Sequence, residues 1–158
     1  MGKWIVLLHV AVAFAFVAGI VGRDITLHQA RTSTDVRTVG ELVALAGRFE
    51  MLLIRPGSFA VLLAGIWAAL ARGLSFTGSG NRWLLISLIV YLSTVPFIPL
   101  VFLPRGRVFG RALADATERG EVTPELTAAF HDRAVAFARN YELAVIAVII
   151  VLMVTKPF

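Results

Sequence analysis

Four stretches of this chain contain almost nothing that water solvates well. Residues 83–103 run for 21 positions without a charge. Residues 4–21 hold 18 positions, with His9 the one strongly polar side chain. Residues 51–71 and 134–154 hold 21 each. The former is interrupted near its start by Arg55-Pro56-Gly57-Ser58, the latter by Arg139, Asn140 and Glu142. A hydrocarbon layer about 30 Å thick needs roughly 20 helical residues at about 1.5 Å each. Four runs of that length predict four spans. Unpaired amides cannot be left in lipid, so only helices or a closed barrel can cross it. Barrel strands would read as alternating segments of about ten residues. These runs are continuous, so the spans are helices.

Composition excludes the other fold classes. Hydrophobic residues make up 58% of the 158, charged residues 16%, and mean hydropathy is +0.83. Such a chain is neither disordered, nor a coiled coil, nor a water-soluble globule. It has no cysteine, which removes disulfides, thiolate metal sites and cysteine nucleophiles. The expected fold is an all-α, polytopic membrane helix bundle: one membrane domain over residues 1–158, with four transmembrane helices plus short amphipathic cytoplasmic helices. The first run is longer than the usual apolar core of a signal peptide, so it is read as a retained span.

Arginine placement sets the expected sidedness. The N-terminus, the 72–82 loop and the C-terminus carry Lys3, Arg72, Arg82 and Lys156. The 22–48 loop and the 104–133 segment carry nine arginines between them. The chain is therefore expected to be multi-pass in the cell membrane, with both termini outside and loops 22–48 and 104–133 cytoplasmic. The net charge of +5 suits anionic lipid headgroups; no fold signature points to nucleic acid.

Shorter signals subdivide the loops. Val39, Leu42, Val43 and Ala46 fall on one face of a helix that should run into the second span. Pro56 should kink or restart that helix, and Pro96 and Pro99 should kink the third span. Residues 77–82 read as a short turn. Residues 107–119 read as an amphipathic helix closed by Gly120, and Thr123-Pro124-Glu125 as the start of another that continues into the fourth span. No internal repeat stands out.

His9 is the first candidate for chemistry. It lies about 7.5 Å inside the first span, where an ionisable group is costly. Three readings stay open: a neutral imidazole bonded to a neighbouring helix, a haem or metal ligand, and a proton relay. Phe16 and Arg23 follow on the same stripe, and Arg23 would suit a haem propionate. By residue count Ser87, Tyr91 and Met153 lie at the depth of His9, and Tyr91 and Met153 complete the candidate cofactor set. His28 and His131 lie too far along the chain to share an iron with His9. A second cluster sits at the cytoplasmic boundary, with Arg48 and Arg55 seven apart, Glu50 nearby, and Arg139 and Glu142 three apart. Arg55, inside an apolar run, needs an anion. Glu142 is its expected partner, in a structural ion pair or a headgroup site. Ala11, Ala15 and Gly19, and Ala60, Ala64 and Ala68, form small-residue stripes of the kind that let membrane helices approach closely.

Taken in order, Trp4, His9 and Ala18-Gly19, then Arg55-Pro56 and Gly65-Ile66-Trp67, then Asn81-Arg82-Trp83, cover about two-thirds of the chain. In these features it resembles an uncharacterised bacterial family of predicted integral membrane proteins. More distantly it resembles the haem-containing membrane protoporphyrinogen oxidases of bacteria. The second resemblance implies haem at His9. That family's lysine after the tryptophan opening the third helix is replaced here by Ser87, which argues against the oxidase chemistry and leaves haem binding. Three functions follow as expectations. The favoured one is a structural or accessory component of a membrane assembly without a catalytic site, partnered by the lipid bilayer and by other membrane subunits or further copies of itself. The second is a haem-binding redox protein with His9 as axial ligand. The third is a small transporter or lipid-handling protein.

Overall fold

The computed structural model describes residues 2–76, 78 and 80–157. Among the described residues every regular element is helical. The chain divides into two compact units, residues 1–75 and 76–158. Each is a helical hairpin.

In the first unit, α1 (Gly2–Thr32) is a single helix of 31 residues that continues well past its apolar run. A three-residue turn ends it, and Asp35 starts the next helix. The Asp35 carboxylate accepts from the Thr38 N–H at 2.9 Å and the Thr38 hydroxyl at 2.6 Å. This satisfies donors that an opening helical turn leaves unpaired. α2 (Val36–Phe49) buries Val39 and Ala46, on the face expected from its periodicity. It runs without a gap through a π turn (Glu50–Ile54) into α3 (Arg55–Ala71). Pro56 accounts for that turn. It has no N–H to offer Leu52, and its ring would press on the Leu52 carbonyl in α register. The helix widens instead, and the Arg55 N–H bonds the Glu50 carbonyl five residues back. Pro56 thus resets the helix without ending it. α3 closes at Gly73 (φ +67°), with the Leu74 N–H returning to the Ala69 carbonyl at 3.0 Å.

Small residues let the two arms approach. A Cβ on Gly19 would lie 2.7 Å from the Leu53 Cβ, and one on Gly57 3.2 Å from the Phe16 Cβ. Phe16 and Ile20 are buried in this seam, as are Ala64 and Ala68 of the second stripe. The first stripe departs from expectation. Gly19 is buried, but Ala11 and Ala15 face outward. α1 meets α3 through the His9–Phe16–Arg23 stripe, and Gly19 sits at its edge.

In the second unit the expected third span is not one regular helix. α4 (Arg82–Leu92) has 11 residues, about 16 Å of rise and half of a hydrocarbon layer. Turns follow over 93–96, then a π segment (Ile98–Phe102) leading into α5 (Leu103–Arg119). The prolines explain the break. Pro96 cannot bond the Leu92 carbonyl, which takes the Val95 N–H at 3.1 Å. Pro99 cannot bond the Val95 carbonyl, which takes the Ile98 N–H at 3.1 Å. Tighter local bonds thus satisfy the carbonyls that the prolines abandon.

α5 ends at Gly120 (φ +72°) in the same closure as α3, with the Glu121 N–H on the Ala116 carbonyl at 3.2 Å. The Thr123 hydroxyl accepts from the Leu126 N–H at 3.3 Å and opens α6 (Pro124–Phe130). α6 does not continue into the fourth span as expected. It stops at His131, and Asp132 caps a new helix, α7 (Arg133–Thr155), through the Ala134 N–H at 2.9 Å. Phe109 meets Phe130 edge-on at 4.8 Å, over fully buried Ala116 and Leu126. α4 packs on α7, where the Ser93 and Tyr141 hydroxyls lie 2.7 Å apart and the Lys156 ammonium sits 5.8 Å from the Trp83 ring centre. The turn expected over 77–82 falls partly on residues 77 and 79, which lie outside the described residues.

α1, the α2–α3 helix and the 124–155 segment are long and apolar enough to cross a membrane. The 82–92 helix is apolar but shorter.

Candidate functional site

The polar groups of the first unit's apolar half gather at two levels of the α1–α3 seam. The inner level is His9. Its ring packs on α3 against Gly65, whose missing side chain makes the space: a Cβ there would lie 3.0 Å from His9 Cε1. The ring approaches the Val61 backbone, and its Nδ1 is shielded from solvent with no hydrogen-bond partner. His9 and Phe16 are seven apart on α1, and the glycines that receive them, Gly65 and Gly57, are eight apart on α3. These are matched knobs and notches on antiparallel helices. The notches were legible in the sequence as two glycines about two turns apart, but only pairing with the opposite helix assigns them a role.

The outer level is a charge cluster around the π turn. The Arg23 guanidinium, 12% exposed, lies 3.2 Å from the Asp24 carboxylate through Nε and 3.2 Å from the Glu50 carboxylate through Nη1. Glu50 turns its other oxygen to Arg55 Nε at 3.5 Å. Glu50 therefore bridges an enclosed arginine on α1 to a largely exposed one on α3. Its position at the start of the π turn sets both contacts. The sequence hinted at this only through the closeness of Glu50 to Arg55. The link to Arg23 spans 27 residues and needs the hairpin.

The residues expected to form sites fall in different units. His9, Arg23 and Arg55 belong to the first, and Tyr91, Met153 and Glu142 to the second. Arg55 finds a carboxylate within its own unit, in Glu50. The expected Arg55–Glu142 pair would join residues of two units, and so would Tyr91 and Met153 as companions of His9. Arg23, proposed for a propionate, already faces two carboxylates. Ser87, where the oxidases carry lysine, is buried and donates to the Trp83 carbonyl at 2.7 Å. Among the described residues no three His, Asp or Glu side chains converge as a metal site.

No curated protein and no solved structure matches the chain. A family described as predicted integral membrane protein (DUF2269) matches it over residues 3–157. That match spans both hairpins, the apolar runs and the boundary cluster alike, and by it this chain belongs to the DUF2269 family of predicted integral membrane proteins.

Proposed function

We propose that this chain is a four-span protein of the cell membrane, with both termini outside, that serves as a structural or accessory component of a membrane assembly. The observation that carries the reading is the face of α1 that its own hairpin leaves uncovered. Ala11, Ala15 and Ala18 are exposed there, while the hairpin packs through the opposite side. Only 17% of the most apolar stretch of α1 is buried. Lipid can cover such a face, but small residues at helical spacing favour another helix, because they admit close backbone contact. The polar groups of the first unit support the same reading. Arg23, Glu50 and Arg55 engage one another, and His9 engages Gly65, so they act as helix-to-helix fittings. The third span would be the proline-broken segment 83–103.

Purification from native membranes in a mild, lipid-preserving polymer tests this. A stoichiometric partner, or a defined oligomer, is the expected result, and substituting Leu for Ala11 and Ala15 should release it. A monomer without partners would end the reading.

A second reading keeps His9 as a haem ligand. What favours it is the Nδ1 atom, enclosed and without a hydrogen-bond partner. Against a haem between α1 and α3 stands the tight contact of the ring with Gly65. The absorption spectrum of the purified protein decides: a Soret band lost in His9→Ala would support haem, and no such band would remove it.

A further inference from the structure

We propose that the first half of α5 forms a docking surface for the headgroup of an anionic phospholipid, held by Arg107 and Arg111. One stripe of this helix carries the argument. It lies opposite the face that Phe109, Ala112 and Ala116 turn to α6. Along it the chemistry changes in order. Leu103, 50% exposed, comes first; Arg107 and Arg111 follow, both exposed; Asp115 and Glu118 come last. Hydrocarbon, cation and acid thus succeed one another along a single face.

The spacing suits a bilayer boundary. Arg107 is one helical turn and Arg111 two turns beyond Leu103, about 6 and 12 Å along the axis. The headgroup zone on each side of a bilayer is roughly 5–7 Å deep. Arg107 lies at that depth, and Arg111 reaches back to it by laying its stem along the helix. Neither guanidinium makes an ion pair or a hydrogen bond among the described residues. Arg105 differs, because it is bound to Asp132, the cap of α7. That tie fixes the base of α5 against the start of α7 and leaves the next two arginines turned outward. Two exposed cations that make no ion pair, above an exposed leucine, complement a phosphate above its acyl chains. The acidic turn beyond them disfavours deeper insertion, since Asp115 and Glu118 would have to leave water. The occupant is therefore a lipid of the surrounding leaflet, and its recognition is by charge.

The test uses the full chain in nanodiscs of equal phosphatidylglycerol and phosphatidylcholine. Lipids that stay on the protein after mild release are counted by native mass spectrometry. The expected result is enrichment of phosphatidylglycerol that falls about fivefold for each of R107Q and R111Q. R107K/R111K should keep the enrichment, since a charge suffices. R119Q, beyond the acidic turn, should leave it unchanged. Equal retention of the two lipids by the unaltered protein would overturn the proposal, and so would an equal loss in R119Q, which would mean diffuse charge. Thermal protection of the detergent-solubilised protein by inorganic phosphate alone, absent in R107Q/R111Q, would reassign the arginines to a soluble anion and likewise overturn it. Circular dichroism of each variant separates lost binding from lost folding.

Discussion

At the residue scale, the first hairpin depends on where a side chain is absent. Gly19 and Gly40 are both helical glycines, yet they should answer substitution in opposite directions. A Cβ on Gly19 would stand 2.7 Å from the Cβ of Leu53, an atom fixed to the backbone of the π turn. The two helices must move apart to admit it. Gly19→Ala should cost about 1–3 kcal/mol, the usual penalty of overpacking. Gly40, within α2, has nothing within 4 Å of its would-be Cβ. Gly40→Ala should stabilise by about 0.5–1 kcal/mol through helix propensity alone. Melting temperatures of the two variants in one detergent check the pair. A rise in melting temperature for Gly19→Ala would mean that the seam is loose enough to admit a methyl group.

Asp35 adds a dependence on pH at the same scale. The Thr38 hydroxyl, then the Thr38 and Arg37 N–H groups, stabilise its ionised form and hold its carboxyl below the usual value of 3.8. A depressed folded-state value means that the cap's stabilisation is present above that ordinary value and is lost as pH falls through the lower one. Asp35→Asn keeps an oxygen for the N–H groups and has no titrating proton. The melting temperature of the native chain should therefore fall toward that of Asp35→Asn as the solution is acidified below pH ~4. A constant gap between the two across that range would refute the cap's role.

At the scale of elements, proline sets the helix geometry, and Pro56 does so differently from Pro96 and Pro99. One proline at 56 produces a π turn within an otherwise continuous helix. Two prolines at 96 and 99 end α4 and impose turns before α5. Pro96→Ala with Pro99→Ala restores two N–H donors, each facing a carbonyl four residues back. The expected outcome is a continuous helix from Arg82 through α5, with slower exchange of the amides at 93–98 and a gain in helical circular dichroism. A proline in a helix interior costs about 3 kcal/mol, which bounds the stabilisation for each proline replaced. Unchanged exchange would place the cause of the break elsewhere. Much at this scale was legible beforehand. The inward face of α2, the Gly120 closure and the Thr123 cap follow from local chemistry, and local chemistry is present in the sequence. The stop at His131 was missed because Asp132 was read as part of a running helix, although aspartate is among the best caps. The third span was read as kinked at its prolines, and the break there goes further, into turns over 93–96. Hydropathy reports the solvent of a segment, whereas its hydrogen-bond pattern depends on which N–H groups exist. The charge cluster was legible only in part. Arg55 and Glu50 are neighbours in sequence, but Arg23 reaches Glu50 only because the hairpin folds α1 back on the π turn.

At the scale of the whole molecule, the two units repeat one plan without an evident repeat in sequence. In each, an apolar helix runs on into a polar arm, turns at a capped loop, and returns through a second polar arm to another apolar helix. The turn is Ser33–Asp35 in the first unit and Gly120–Thr123 in the second. This plan gives a reason for the uneven distribution of arginine. Nine of the chain's arginines lie in residues 22–48 and 104–133, within or beside the arms. A hairpin whose two apolar halves both cross the bilayer must place its arms on one side. Arginine resists transfer across the membrane, so that side should be the cytoplasm for both units. Cysteine accessibility checks it, since the native chain has none to interfere. Single cysteines at Ser33 and Glu121, one at each turn, should react with an impermeant thiol reagent only after the cells are opened. A cysteine at Gly80, just before α4, should react from outside in intact cells. Labelling of Ser33→Cys and Glu121→Cys from opposite sides would mean that segment 83–103 does not cross. The proline break would then mark a re-entrant turn, and the chain would have three spans, as its long helices alone suggest.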